Sequence, residues 1–216
     1  MQNFDSPKIW FIRHAESEAN VQRIYDNGES TFGLTANGLK QAKAIARSFS
    51  SLPMRHVYTS PILRAMQTAR EICVTTDKQM RIARELSEYN MGIYEGTSSS
   101  LGSAGSISDS QTKIRWYEHG DYDGRSPGGE SLNDMKRRFV PFVRRTAENA
   151  RNDPGILMMV THGGILTAML PFVFENLSFD FVQSHPIDHL CVIKGELKNG
   201  RFECVEYDGK QPLSET

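Results

Sequence analysis

A stretch of five apolar residues at positions 156–160, Ile-Leu-Met-Met-Val, constrains the fold of this chain more than any other segment. It shows no alternation between polar and apolar positions, and it ends at the polar pair Thr161 and His162. An apolar run of this length is typical of a central strand in a parallel sheet, where both faces of the strand are covered. We therefore expect helices on both sides of a sheet that contains this strand.

The rest of the sequence alternates between strand-like and helix-like patterns. Strand-like runs occupy residues 8–12 and 56–59, and two more flank the dipeptide Asn199-Gly200, a strong hairpin signal. Helical spacing of apolar residues covers residues 36–50, about 60–73, about 132–152, and a segment that begins at Ile165. This order predicts an α/β fold, a three-layer α/β/α sandwich with a mostly parallel central sheet.

Two local features refine that prediction. Ser60 and Pro61 are expected to form the N-cap and first position of the second helix. Residues 97–111 are rich in serine and glycine, so we expect them to bury little and to form a flexible loop or lid. With the aromatic residues that follow it, this segment is predicted to form a small cap insertion at about residues 97–127.

Length, charge and cysteine content exclude several classes of protein. The chain has 216 residues and a formal net charge of −1, so we expect one domain over residues 1–216 and no attraction to nucleic acid or anionic membranes. No apolar run approaches the ~20 residues needed to span a bilayer. The three cysteines have no metal-ligand spacing, and the N-terminus resembles no secretion signal. We expect a cytoplasmic protein, and no pattern indicates its oligomeric state.

Two histidines, His14 and His162, each follow a predicted strand and precede a chain reversal. Ligands of open α/β sheets bind beyond the carboxyl ends of the strands, so both imidazoles would lie at one edge if these strands are parallel neighbours. Arg13 and Arg64 can reach the same edge, and Gly163 allows the backbone to come close to a ligand. The helix that follows would aim its free N–H groups into the same space. The sequence predicts a compact anion site suited to a phosphoryl group.

The remaining histidines, His56, His119, His185 and His189, have no such sequence context. A histidine without that context is expected to be an ordinary surface or hydrogen-bonding residue.

Six motifs occur in order over residues 8 to 170: Arg13-His14-Ala15-Glu16-Ser17 with Asn20, Leu34-Thr35-x-x-Gly38-x-x-Gln41-Ala42, Ser60-Pro61-x-x-Arg64-Ala65-x-Gln67-Thr68-Ala69, Leu86-x-Glu88-x-x-x-Gly92-x-x-Glu95-Gly96, Gly128-Gly129-Glu130-Ser131, and Val160-Thr161-His162-Gly163-Gly164. Together they resemble the motifs of the histidine phosphatase superfamily, the phosphoglycerate-mutase-like proteins. The chain departs from them at Ala15, where the family usually has glycine. Because some members carry alanine there, we do not interpret it as a loss of activity.

The resemblance implies a role for each site residue. His14 would be the nucleophile that forms a phosphohistidine. Arg13, Arg64 and His162 would neutralise the phosphoryl oxygens, with substrate contacts from Asn20 and Gly163. No metal or other cofactor is implied, because cationic side chains supply the positive charge.

Glu88 matches the family's proton donor. To act as an acid near neutral pH its pKa has to be raised by burial, whereas neighbouring arginines would lower it. The sequence does not decide between these two effects.

The same resemblance leaves two reactions open. In cofactor-dependent phosphoglycerate mutases an arginine follows the acid, and a tyrosine and a lysine come further on; here Tyr89, Met91 and Ser99 stand at those positions. With fewer cations to hold a substrate carboxylate, attack by water is favoured, which predicts a phosphatase acting on small phosphomonoesters. The alternatives are a 2,3-bisphosphoglycerate-dependent mutase, an inactive phospho-ligand-binding relative, and a phosphatase that acts on phosphoproteins.

Overall fold

A computed structural model of the protein describes residues 7–27, 32–150, 155–198 and 200–210. Three sequence predictions involve residues outside these ranges. They concern the N-terminal residues used to argue against a secretion signal, residues 151–152 of a predicted helix, and Asn199 of the predicted hairpin.

The described residues contain six strands that form one sheet. They are β1 Lys8–Arg13, β2 Met54–Thr59, β3 Met80–Ile82, β4 Ile156–Thr161, β5 Val192–Lys198 and β6 Arg201–Tyr207. The sheet order is β3-β2-β4-β1-β5-β6. Strands β1 to β4 are mutually parallel, β5 is antiparallel to β1, and β6 is antiparallel to β5. The prediction of a mostly parallel sheet is confirmed, and all six residues of β4 are buried at its centre. Strand β3 was not predicted, because its three residues are exposed at the sheet edge.

Helices cover both faces of this sheet. They are α1 Glu18–Gln22, α2 Ala36–Ser48, α3 Leu63–Thr76, α4 Ala104–Tyr117, α5 Leu132–Asn149, α6 Gly163–Val173 and α7 Phe179–Ser184. Helices α2 and α3 pack on one face, where Ala46 and Ala65 share a buried cluster with Val160. On the other face, Phe139 of α5 packs with Met159 in a second cluster that also includes α6. The predicted three-layer sandwich is confirmed, and none of the described helices is long and apolar enough to cross a membrane.

The prediction that Ser60 caps the next helix is wrong. Helix α3 begins at Leu63, and its N-cap residue Ile62 makes no side-chain cap hydrogen bond. The backbone N–H of Ser60 instead donates to Val160 O of β4 at 3.0 Å, and its Oγ lies 2.8 Å from Nε2 of His162. Contact with the neighbouring strand therefore fixes Ser60, and helix α3 starts after a turn.

The prediction of a flexible loop over residues 97–111 is wrong for residues 104–111, which belong to α4. Ser103 caps this helix by accepting a hydrogen bond from Ser106 N, and Gly105, Thr112 and Trp116 are buried. The indole Nε1–H of Trp116 donates to Gly124 O at 2.6 Å. Of the serines that predicted a loop, Ser103 caps the helix and Ser106, Ser108 and Ser110 occupy half-buried or exposed helix positions. Buried side chains near the end of the helix anchor it.

Candidate active site

Strands β1 and β4 bring the two predicted histidines together. They are parallel neighbours whose last paired residues are Arg13 and Thr161, so His14 and His162 follow at the same edge of the sheet. The rings of His14 and His162 lie 5.1 Å apart between centroids, and their exposed fractions are 2% and 0%. The backbone N–H of His14 donates to Thr161 O at 3.0 Å, which joins the two strand ends directly.

Arg64 is placed against His14 by helix α3, which follows the next strand in the sheet. Its Nε–H donates to Nε2 of His14 at 3.0 Å, and its Nη1 donates to Oδ2 of Asp26 at 2.8 Å. Arg64 and Asp26 are both buried, so this ion pair is withdrawn from solvent. Sequence reasoning missed Asp26, because an aspartate in a connecting segment carries no signal of its own.

The hydrogen bonds of His14 determine its tautomer. Its Nδ1 lies 2.7 Å from Ala15 O, and because a carbonyl oxygen only accepts, Nδ1 carries the proton. Nε2 therefore holds the lone pair. Burial, followed by the charges of Arg64 and Arg13, lowers the pKa of His14 well below its usual 6.5, so the imidazole is neutral at pH 7. A neutral imidazole whose Nε2 carries a lone pair is chemically a nucleophile once the hydrogen bond from Arg64 is released.

Two buried polar atoms of the site have no hydrogen-bond partner among the described residues: Nε of Arg13 and Nδ1 of His162. The other atoms of these side chains are engaged, since Nη1 of Arg13 donates to Ile187 O at 2.7 Å and Nε2 of His162 contacts Ser60. A buried polar group without a partner costs about 1–3 kcal/mol. Such groups beside a pocket are suited to a polar ligand.

Glu88 lies at the N-terminus of helix α6. Its carboxylate accepts hydrogen bonds from the backbone N–H groups of Gly164 at 2.8 Å, Ile165 at 2.5 Å and Tyr89 at 3.1 Å. The sequence analysis predicted that the first N–H groups of this helix would face a ligand. In the structure they donate to the Glu88 carboxylate instead. The pKa of Glu88 is raised, because desolvation outweighs these hydrogen bonds and the charge of Arg64.

Asn20 belongs to a capping box and also contacts a histidine that sequence reasoning missed. Its Oδ1 accepts from the backbone N–H and the hydroxyl of Ser17, at 3.2 and 2.7 Å. Nε2 of His189 lies 3.1 Å from the same oxygen and 3.2 Å from Nη2 of Arg13. His189 is separated from Arg13 by 176 positions in the chain, and no local pattern marks it.

A pocket of about 360 Å³ joins these groups. Six of the seven predicted site residues line it: Arg13, His14, Asn20, Arg64, Glu88 and Gly163. The seventh, His162, packs against the ring of His14. Helix α4 contributes Lys113, Trp116 and Tyr117 to the lining of this pocket. Across the described ranges, no group of three or more His, Cys, Asp or Glu side chains is arranged to hold a metal ion.

Comparison with known proteins supports the family resemblance that the sequence motifs indicate. The sequence profile of the histidine phosphatase superfamily, branch 1, matches residues 9–209. The adenosylcobalamin/alpha-ribazole phosphatase of Salmonella typhimurium is 29% identical over 166 residues, covering 76% of this chain and 77% of that protein. A probable phosphoglycerate mutase of Photorhabdus laumondii is 30% identical over 159 residues, covering 72% of this chain and 69% of that protein.

A solved structure shows the same fold. The phosphoserine phosphatase of Entamoeba histolytica, determined with 3-phosphoglyceric acid, has a TM-score of 0.77 and 20% identity, and the match covers 96% of this chain and 99% of that one. The predicted class of enzyme, a phosphoric monoester hydrolase of the phosphoglycerate-mutase-like type, agrees with the profile and with the named relatives. The chain belongs to the histidine phosphatase superfamily, branch 1.

Proposed function

We propose that the protein is a metal-independent phosphatase that hydrolyses small phosphomonoesters through a phosphohistidine on His14. The observation that carries the proposal is the neutral, buried imidazole of His14, whose Nε2 lone pair lies in a site where Nε of Arg13 and Nδ1 of His162 have no partner among the described residues. A phosphoryl group at this position would receive hydrogen bonds that the protein itself leaves unmade. The proposal includes a cytoplasmic location and one catalytic domain over residues 1–216, with its cap at about residues 97–127.

In the first step, Nε2 of His14 attacks the phosphorus and forms an N–P bond while the P–O bond to the leaving group breaks. Arg64 gives up its hydrogen bond to Nε2 and donates instead to a phosphoryl oxygen. Arg13 and His162 hold the other oxygens, where the charge of the transition state is spread. Asn20 and Gly163 bound the same space and contact the bound group.

Glu88 supplies the proton in that step. The raised pKa of its carboxyl group favours the protonated acid, which donates to the leaving oxygen as the P–O bond breaks. In the second step the resulting carboxylate accepts a proton from water, the water oxygen bonds to phosphorus, and the N–P bond breaks. Inorganic phosphate leaves, and His14 and Glu88 return to their starting forms.

The far wall of the pocket supports hydrolysis over mutase activity. Apart from Arg13 and Arg64, Lys113 is the one lysine or arginine among the described lining residues. Its Nζ is already paired with Oδ2 of Asp109 at 2.8 Å. A mutase has to retain a carboxylated substrate until the phosphoryl group returns to it. A single, already paired cation holds such a substrate poorly, so water reaches the phosphohistidine first.

The test is release of phosphate from p-nitrophenyl phosphate and from a panel that includes phosphoserine and 3-phosphoglycerate, with EDTA present. We expect turnover by the wild type, a loss of about 10³-fold or more in His14→Ala, and normal rates in His119→Ala, which removes an exposed histidine. Equal rates in His14→Ala and wild type would reject the mechanism.

If the wild type releases no phosphate, it should next be given 3-phosphoglycerate with 2,3-bisphosphoglycerate. Transfer between them would identify a mutase. Tight phosphate binding with neither reaction would identify a phosphate-binding relative.

A further inference from the structure

His189 is the one imidazole at the site that the proposed mechanism does not use. It lies in the turn between α7 and β5, and its ring centroid is 5.9 Å from that of His14. Its Nε2 is the atom placed between Nη2 of Arg13 and Oδ1 of Asn20. Both of these neighbours line the phosphoryl pocket, so His189 contacts two of its walls at once.

The backbone around His189 is fixed to the end of strand β1. Leu190 N donates to Arg13 O at 3.1 Å, and Arg13 N donates to Cys191 O at 3.3 Å. Leu190 itself has a φ of 62°, in the left-handed region. A leucine in that region costs about 1–2 kcal/mol, and strained backbone of this kind is concentrated at functional sites. The turn that places the imidazole between Arg13 and Asn20 therefore contains strained backbone.

Nε2 of His189 has two neighbours and can bond only one of them at a time. A guanidinium only donates, so Arg13 needs a lone pair on Nε2. Oδ1 of Asn20 already accepts two hydrogen bonds from Ser17, which identifies it as the amide oxygen, and it needs a proton on Nε2. A single imidazole nitrogen carries either the lone pair or the proton. The two hydrogen bonds are therefore alternatives.

Binding of a phosphoryl group would favour the hydrogen bond to Asn20 over the one from Arg13. Nε of Arg13 has no partner among the described residues, so an incoming phosphoryl oxygen draws the guanidinium toward it. Nε2 of His189 then loses its donor and is free to carry the proton, which it donates to Oδ1 of Asn20. With its oxygen fixed in this way, the amide of Asn20 presents its NH₂ group to the pocket.

The exchange needs no change in the charge of His189. Burial, followed by the charge of Arg13, lowers the pKa of this imidazole to about 4, despite the opposing charges of Glu16 and Asp188. In the empty site the ring is therefore uncharged at neutral pH, and the exchange itself requires only that its proton move between Nδ1 and Nε2. The change is a tautomer shift, in which solvent water can carry the proton from Nδ1 to Nε2.

We propose that His189 is a positioning residue of the phosphoryl site, holding Arg13 in the empty site and Asn20 in the occupied one. The proposal rests on the proposed function, because it assumes that a phosphoryl group binds beside His14. It adds a residue that acts through its two neighbours, and it explains why an imidazole lies between a donor and an acceptor.

The first test compares wild type, His189→Ala and His189→Gln. A glutamine amide carries an oxygen and an NH₂ group at about the distance from the backbone at which histidine carries Nε2, so it can replace both hydrogen bonds, whereas alanine replaces neither. Alanine removes a hydrogen bond to a charged group from the empty site and a hydrogen bond between neutral groups from the occupied site. Because the first of these is the stronger, we expect the Kd of inorganic phosphate and the KM of p-nitrophenyl phosphate to fall about fivefold in His189→Ala. We expect kcat to change less than KM, and His189→Gln to restore both constants to within about twofold of wild type.

The second test observes the tautomer directly in protein labelled with ¹⁵N-histidine. We expect Nε2 of His189 to change from unprotonated to protonated when inorganic phosphate saturates the site, with signals assigned by their loss in His189→Gln. An unchanged Nε2, a Kd in His189→Ala that is not at least twofold below that of wild type, or a Kd in His189→Gln equal to that of His189→Ala would each overturn the proposal. Neither phosphate binding nor the spectrum requires turnover, so an inactive wild type would reject the proposed function without deciding this one.

Discussion

Nε–H of Arg64 donates a hydrogen bond to Nε2 of His14 at 3.0 Å, on the nitrogen that carries the lone pair. The nucleophile of the proposed reaction is therefore occupied while the site is empty. Asp26 holds the other side of the same guanidinium, so its orientation is fixed before any substrate arrives. A phosphoryl oxygen has to replace His14 as the acceptor of Arg64, which links phosphate binding to release of the nucleophile.

Replacing Arg64 by lysine tests this link. Lysine keeps the charge, but a single ammonium group cannot hold His14 and Asp26 with the rigid fork of a guanidinium. We expect kcat/KM for p-nitrophenyl phosphate to fall about 10–100-fold, which is the value of one charge-assisted hydrogen bond. Arg70→Lys is the matched control, because Arg70 lies exposed on the same helix. If Arg64→Lys keeps wild-type kcat/KM, the paired hydrogen bonds of the guanidinium to His14 and Asp26 do not contribute to catalysis.

Glu88→Gln tests the proton donor. Glutamine keeps the size of the side chain but has no acidic proton. We expect about a 10²–10⁴-fold loss with alkyl phosphates, whose leaving groups need protonation. The loss should be much smaller with p-nitrophenyl phosphate, whose leaving group barely needs an acid. The measurement is kcat on both substrates, with Glu85→Gln as control. Equal losses on the two substrates would remove Glu88 from the acid role.

Gly164→Ala tests the packing behind Glu88. A Cβ at this position would lie 2.9 Å from Oε1 of Glu88 and would overlap the buried ring of Tyr89, whose hydroxyl is bound to Asp109. Because the ring is held, the start of helix α6 has to shift, and the N–H groups that bind Glu88 shift with it. A misplacement of Glu88 by about 1 Å can cost about 10²-fold in kcat.

Gly163→Ala is the comparison for this variant. Its Cβ would come no closer than 3.2 Å to the side chain of Arg13, which can adjust. We therefore expect a smaller loss in kcat than in Gly164→Ala, with both variants measured on one alkyl phosphate. A larger loss in Gly163→Ala than in Gly164→Ala would contradict this account of the packing.

Thermal stability should fall on acidification because of two buried histidines. The pKa values of His14 and His162 are both lowered well below 6.5, chiefly by burial. Above that pH both imidazoles are neutral in the folded and unfolded chain. Below it the unfolded chain binds protons that the folded chain does not, so the free energy of unfolding falls by up to about 1.4 kcal/mol per pH unit for each histidine.

This prediction is measured as the difference in Tm between pH 7.5 and 5.5, without phosphate. We expect His162→Gln to show a smaller decrease than wild type, since one of the contributing groups is gone. His189, whose pKa is lowered to about 4, contributes in the same way in both proteins. His119→Gln, which replaces an exposed histidine, should keep the wild-type decrease. Identical decreases in His162→Gln and wild type would show that the buried ring of His162 does not cause the effect.

The local sequence patterns predicted the layers of the fold because they depend on neighbouring residues. The apolar run at residues 156–160 is typical of a strand covered on both faces, and it lies at the centre of the sheet as β4. The prediction failed where polar residues hid a helix, in the serine-rich beginning of α4. Side chains that anchor that helix come from its far end, where Trp116 is buried.

Short motifs at fixed spacing were enough to predict the family and the residues that meet at the candidate site, and apolar periodicity was enough to predict the three-layer sandwich. The contacts of the folded chain were needed to show that Glu88 occupies the N-terminus of α6, that Asp26 pairs with Arg64, and that His189 lies between Arg13 and Asn20. These contacts join groups between 38 and 176 positions apart. They form because the order of strands in the sheet brings distant chain segments to one edge, and no spacing along the chain records that order.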